Sequence, residues 1–214
     1  MNSLILNSLN KNVVLDVVSD SLNITSGFEG LYGTSGLSLI YSGDMDDNFY
    51  NINIPFTFNF FGINYGNGNN GGVYVGTNGY ITFGFGASQF YDFTASSPGR
   101  GLFFLSGDRR LFTLYAGSMS DIKGLNRYRV YWYGNSYSNT NDRFTVEIIF
   151  YSNGYIQLNY GTLSNTDYNG LGITNGIEYK VTWTVYSNYS IAISSNDTTI
   201  TTGGYWSWFF VILD

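Results

Sequence analysis

The chain has 214 residues, a net charge of -6, 19% aromatic and 11% charged residues, and neither cysteine nor histidine. These numbers exclude disulfide staples, thiol chemistry, histidine-dependent triads, zinc sites and haem held by histidine. The acidic balance also argues against a nucleic-acid partner, which normally meets a concentrated basic surface.

With 20 Tyr and 17 Phe a sizeable core is available, while Lys, Glu, Ala and Arg are too scarce to furnish long surface helices. The composition predicts an all-β fold. One antiparallel β-sandwich, rich in hairpins, is expected over residues 26–214, with residues 1–25 as an extended N-terminal arm or an added strand.

The N-terminus, MNSLILNSLNKNVVLDVVSD, lacks the basic region and long apolar stretch of a secretory signal. Within it, VVLDVV (13–18) predicts a strand or arm that pairs with a neighbouring molecule or with the domain's own sheet. Asp44, Asp46 and Asp47 lie in a turn dense in oxygen ligands. The turn is a calcium candidate that lacks EF-hand spacing, and it otherwise reads as a plain acidic turn. In IPFTFNFFG (54–62), alternation places Phe56, Phe58 and Phe60 on one face and Thr57 and Asn59 on the other, with Pro55 at the strand's start or on an edge. GNGNNGG (66–72) is too rich in glycine for a strand and predicts a flexible loop, either a functional tip or a connector. VYV (73–75) and YITF (80–83) flank a turn in which Asn78 and Gly79 supply positive φ angles, so this stretch predicts a tight hairpin.

Strands are expected next at 102–105, 111–115 and 128–133. Arg100, Arg109, Arg110, Arg127, Arg129 and Arg143 fall close together in the chain. Among them Arg109, Arg110, Arg127 and Arg129 are interface candidates for a patch that meets an acidic neighbour or an anionic glycan. Internal pairs with Asp108 and Asp142 are the other reading. From Phe144 to Tyr160 the alternation is strict: Phe144, Val146, Ile148 and Phe150 share a face, Thr145 and Glu147 take the other, Asn153-Gly154 turns, and Ile156, Leu158 and Tyr160 return inward with Gln157 and Asn159 outward. Strands at 179–186 and 191–194 follow, and the order of pairing is not readable.

The closing YWSWFFVIL (205–213) is too short for a membrane-spanning helix and is apolar on both strand faces. It predicts a central strand or a surface buried against another subunit, with Trp206, Trp208 and Phe210 as interface candidates. Charge is uneven along the chain: residues 1–99 carry Lys11 against seven acids, while residues 100–214 carry eight bases and eight acids. That asymmetry reads as a solvated acidic surface or as complementary docking faces. For catalysis only carboxylates remain. A glycosidase pair of Glu147 with Asp142 or Glu178 is conceivable, but outward structural carboxylates are the simpler reading, and no residue pattern implies a cofactor.

Three stretches, taken together, resemble a family. The acidic turn (Asp44, Asp46, Asp47) leads into IPFTFNFFG, VYVGTNGYITFG follows, and RFTVEIIFYSNGYIQLNYG with GLGITNG comes later, over roughly residues 40–177. This order resembles nidogen-like extracellular β domains and, more closely, similar modules in virion proteins of marine tailed phages. Where nidogen-like domains usually carry a proline-aromatic-acid stretch, this chain has GRGLFFLSGDRRLFTLYAG, which favours the phage modules. The resemblance implies a jelly-roll or nidogen-like sandwich. It also implies a structural virion protein, as a head-decoration, collar or tail-fibre component exposed on the particle and assembled in the host cytoplasm. Its partners would be other virion proteins and copies of itself. The alternative is an adhesin that recognises host surface glycan through exposed Tyr, Phe, Asn and Asp, and a carboxylate glycosidase comes third. The shared motifs are strand and turn, so they specify a fold better than an activity.

Overall fold

The computed structural model describes residues 14–18, 21–25, 31–90, 99–122, 124–164, 170–176, 179–181, 187–194 and 200–203. Among them all regular structure is β, and no helix occurs. In chain order the strands are β1 (Val14–Val18), β2 (Ser21–Thr25), β3 (Ser38–Met45), β4 (Phe49–Ile52), β5 (Phe58–Phe60), β6 (Ile63–Tyr65), β7 (Val73–Gly76), β8 (Tyr80–Phe83) and β9 (Arg100–Ser106). The long strands β10 (Arg109–Ile122), β11 (Leu125–Ser136), β12 (Arg143–Tyr151) and β13 (Tyr155–Leu163) form a meander. β14 (Gly170–Asn175), β15 (Tyr179–Val181), β16 (Tyr189–Ser194) and β17 (Ile200–Gly203) complete the set.

Two antiparallel sheets hold most of these strands. One has seven, in the order β17-β16-β13-β12-β11-β10-β3, and the other has six, in the order β15-β14-β9-β8-β7-β4. The chain changes sheet between β3 and β4, β9 and β10, β13 and β14, and β15 and β16. Alternation explains why the two layers stack. The inward side chains of β7 to β9 (Val73, Val75, Ile81, Phe83, Leu102, Phe104) and of β10 to β13 (Leu114, Val130, Trp132, Val146, Ile148, Phe150, Leu158) belong to one buried cluster. Phe104 meets Trp132 edge-on at 5.8 Å, and Tyr160 donates its hydroxyl across the interface to the Phe104 carbonyl at 2.9 Å. Full burial of each such side chain contributes about 1.5–3 kcal/mol.

The predicted Phe56-Phe58-Phe60 face is buried, but the strand is shorter than its pattern. Phe61 and Gly62 take positive φ, so the chain reverses and β5 pairs only with β6. This small hairpin plugs the core: Phe60 stacks on Phe83 at 3.9 Å, and Phe58 meets Phe150 edge-on at 5.1 Å. The 144–160 hairpin has the expected faces and pairs Phe150 with Ile156 and Glu147 with Asn159. In the 73–83 hairpin only Gly79 has positive φ, at 77°; Gly76 pairs with Tyr80 across a three-residue connection. The glycine-rich run 66–72 is tied to its neighbours: Asn67 N–H donates to Ile54 O at 2.8 Å and Gly84 N–H to Gly72 O at 2.9 Å. β1 and β2 pair with each other, from Val14↔Thr25 to Val18↔Ser21, apart from both large sheets. Of the strand expected at 179–186, residues 179–181 form β15, and 182–186 lie outside the described residues. Strands β2, β3, β4, β6, β14 and β17 have no counterpart among the strands expected from the sequence.

Candidate functional site

The arginines do not form the single patch expected from their spacing. Arg109 and Arg110 are consecutive on β10 and project to opposite faces. Arg109 is 1% exposed, lies 4.1 Å over the Phe144 ring and donates Nε to Leu105 O at 3.3 Å. Arg110 points outward, pairs with Asp44 at 3.2 Å and covers the Tyr137 ring at 4.5 Å. Arg127 is buried and gives Nε and Nη2 to Ser120 O at 2.8 and 2.6 Å. Arg129 is 4% exposed and donates to Ser35 O at 3.0 Å. Trp206, Trp208 and Phe210 lie outside the described residues.

The acidic turn between β3 and β4 belongs to one end of the sandwich, where a buried asparagine organises four chain segments. Asn78 Nδ2 donates to Asp47 Oδ1 at 2.8 Å and to Ser88 O at 3.0 Å, and its Oδ1 accepts Arg109 N–H at 2.8 Å. The β3–β4 turn, the β7–β8 turn, the β9–β10 corner and the chain after β8 are thereby tied together. Burial, then the charges of Asp47 and Asp108, pushes the Asp46 carboxyl up. Asp44 is taken by Arg110 and Asp47 by Asn78, and among the described residues no three His, Cys, Asp or Glu side chains are placed to hold a metal ion.

Among the described residues, the outward face of the seven-stranded sheet divides into a covered strip and an open one. In the covered strip, residues 31–35 lie across β11 to β13: Tyr32 N–H donates to Glu147 Oε2 at 2.9 Å, and Leu31 fills the space a side chain at Gly161 would need. Glu147 points away from the core as expected, yet it is 0% exposed. Its Oε1 stands 3.6 Å from Arg129 Nη1, an ion pair too long for a hydrogen bond. Burial raises its carboxyl to about 7, against the opposing pull of Arg129, the Gly33 backbone and the Asn159 amide; the same burial lowers Arg129. Beside this pair Tyr151 OH donates to Gln157 Oε1 at 2.7 Å, and Gln157 Nε2 and Ser190 Oγ donate to Asn159 Oδ1, both at 2.8 Å. This polar row was missed because an outward polar residue on a strand reads as solvated. The signal was present in Glu, Gln, Asn and Arg all falling on one face of paired strands. Asp142 precedes β12 by one residue, so it lies about 16 Å along the strand from Glu147, beyond the ~9.5 Å that a glycosidase pair spans. Glu178 lies outside the described residues.

The open strip covers β3, β10 and β11. Tyr115 meets Tyr131 edge-on at 6.4 Å, and Phe112 meets Tyr133 at 5.9 Å, all four half-buried. Leu39, opposite Tyr115 on the edge strand, is 53% exposed. Arg143 stacks over Phe112 at 4.9 Å at the margin of the strip. Two register shifts within the β3–β10 pairing kink that edge, a device that discourages edge-to-edge strand addition and leaves the face, rather than the edge, for contact. No family model, curated protein or solved structure matches the chain.

Proposed function

We propose that the chain is a non-catalytic assembly module, a structural component of a tailed-phage particle that acts through contacts with copies of itself and with other particle proteins. The observation that carries this reading is the open strip of Leu39, Phe112, Tyr115, Tyr131 and Tyr133 beside Arg143. Tyrosine, phenylalanine and arginine are the side chains that enrich protein interfaces, and a contiguous apolar face on a folded domain marks a contact site. Glu147, sealed beneath residues 31–35 and engaged with them, supports the non-catalytic part of this reading. The particle assignment rests on the sequence resemblance.

Sedimentation of the purified full chain over a range of micromolar concentrations tests the proposal. An oligomer is expected, and Leu39→Asp with Tyr115→Ser is expected to return it to monomer with the fold intact. A wild-type chain that stays monomeric at every concentration, or an oligomer indifferent to both changes, overturns it.

A further inference from the structure

A second surface lies on the six-stranded sheet and goes beyond the assembly reading. A shallow groove of about 240 Å³ runs between β4 and the 66–72 loop, lined by Asn51, Ile52, Asn53, Gly66, Gly68, Asn69, Gly71 and Gly72. None of these residues is charged. Among the described residues no hydrogen bond engages the side-chain amides of Asn51, Asn53 or Asn69, whereas the Asn70 amide holds the loop to Asn64 O and the Asn59 and Asn64 amides bond each other across β5 and β6.

The groove is built into the fold rather than left over. Gly66, Asn67, Gly68, Asn70, Gly71 and Gly72 all have positive φ, a costly backbone for the two asparagines. The loop is nonetheless anchored by Asn70 Nδ2 to Asn64 O at 2.7 Å and Tyr74 OH to Gly71 O at 2.7 Å. A Cβ at Gly72 would stand 3.0 Å from Asn51 Nδ2, so glycine there leaves the amide its place. Two residues from Asn51, and so on the same face of β4, Phe49 is 39% exposed and braced edge-on by Tyr74 at 5.7 Å.

We infer that this groove is a binding subsite for one neutral hexose unit of a glycan chain. An amide both donates and accepts, which matches a sugar hydroxyl that does the same. An exposed aromatic ring beside the amides offers an apolar surface to the C–H face of the sugar. Sulfated, phosphorylated or uronic sugars call for arginine or lysine, which the lining lacks. The volume is below that of pockets that enclose whole ligands, so the subsite holds a single ring of a chain that continues into solvent, with millimolar affinity.

Two-dimensional ¹H–¹⁵N NMR titration of the full chain with cellotetraose, maltotetraose and galactotetraose tests this, with tetragalacturonate as the charged comparison. Saturable shifts are expected at the Asn51, Asn53 and Asn69 side-chain amides and at Gly68 with at least one neutral sugar. Phe49→Ala and Asn51→Ala, both at exposed positions, are each expected to weaken binding about tenfold, with dispersed spectra and sedimentation unchanged. The inference is overturned if no neutral sugar shifts these signals, if the shifts fall elsewhere, or if tetragalacturonate binds the groove more tightly. Because the groove and the assembly strip lie on different sheets, each reading can fail alone.

Discussion

Asn78 provides the sharpest test of how the sandwich end is held. Replacing it with alanine removes two donated hydrogen bonds, to Asp47 and Ser88, and the acceptor for Arg109 N–H. Each bond is worth about 1 kcal/mol net, and a buried N–H left without a partner costs about 1–3 kcal/mol. Asn78 and Arg109 are both buried, so water does not readily replace what is lost, and the total comes to about 3 kcal/mol. For a domain of this size that lowers the melting temperature by about 6–12 °C. Differential scanning calorimetry of Asn78→Ala measures it, with Asn64→Ala as the comparison, since that exposed amide accepts one hydrogen bond, from Asn59 Nδ2, and its loss is expected to cost under ~1 kcal/mol. If the two variants melt together within a degree or two, Asn78 does not tie the four segments and the reasoning fails.

Three further outcomes follow from the same geometry. Glu147 titrates at about 7 in the folded chain against 4.5 otherwise, so its contribution to stability is complete below about pH 4.5 and is lost as pH rises to about 7. That loss amounts to about 3 kcal/mol. Urea unfolding from pH 4 to 8 should show it as a slope that Glu147→Gln removes, leaving the variant the more stable protein at pH 8; a variant less stable at pH 8 would mean that the Arg129 pairing outweighs burial. Phe83→Ala, which empties the stack against Phe60 and the contact with Phe150, should cost about 3–5 kcal/mol by the same assay, and a cost below ~1 kcal/mol would show that β5 and β6 do not plug the core. Melting with calcium and with chelator should give one curve, because Asp44 and Asp47 are already engaged by Arg110 and Asn78; a calcium-dependent rise would place a metal at the turn.

The strands that alternate cleanly were legible in the sequence. Phe144 to Tyr160 reads as a hairpin because its apolar residues fall at every second position on both sides of Asn153-Gly154, and register then follows from the turn. Strand order was not legible, since each change of sheet depends on contacts remote in sequence, such as Asn78 with Arg109 N–H. Asn78 was read as a backbone turn former, but its side chain does the structural work and Gly79 alone takes positive φ. The arginines misled because nearness in sequence is not nearness in space when consecutive strand residues face opposite ways. Glu147 was placed on the correct face with the wrong surroundings: nothing in its own strand reveals that residues 31–35 cross above it. The open aromatic strip could not be read because β3, which supplies Leu39, has no strong alternation of its own.

Site-specific photo-crosslinking tests the central claim most directly. With a benzophenone amino acid placed at Tyr115 in the open strip, or at Tyr74 on the other sheet, irradiation of the purified chain should yield covalent dimers from position 115 and few from position 74. Equal yields from both positions, or none from 115, would contradict an assembly face on β3, β10 and β11.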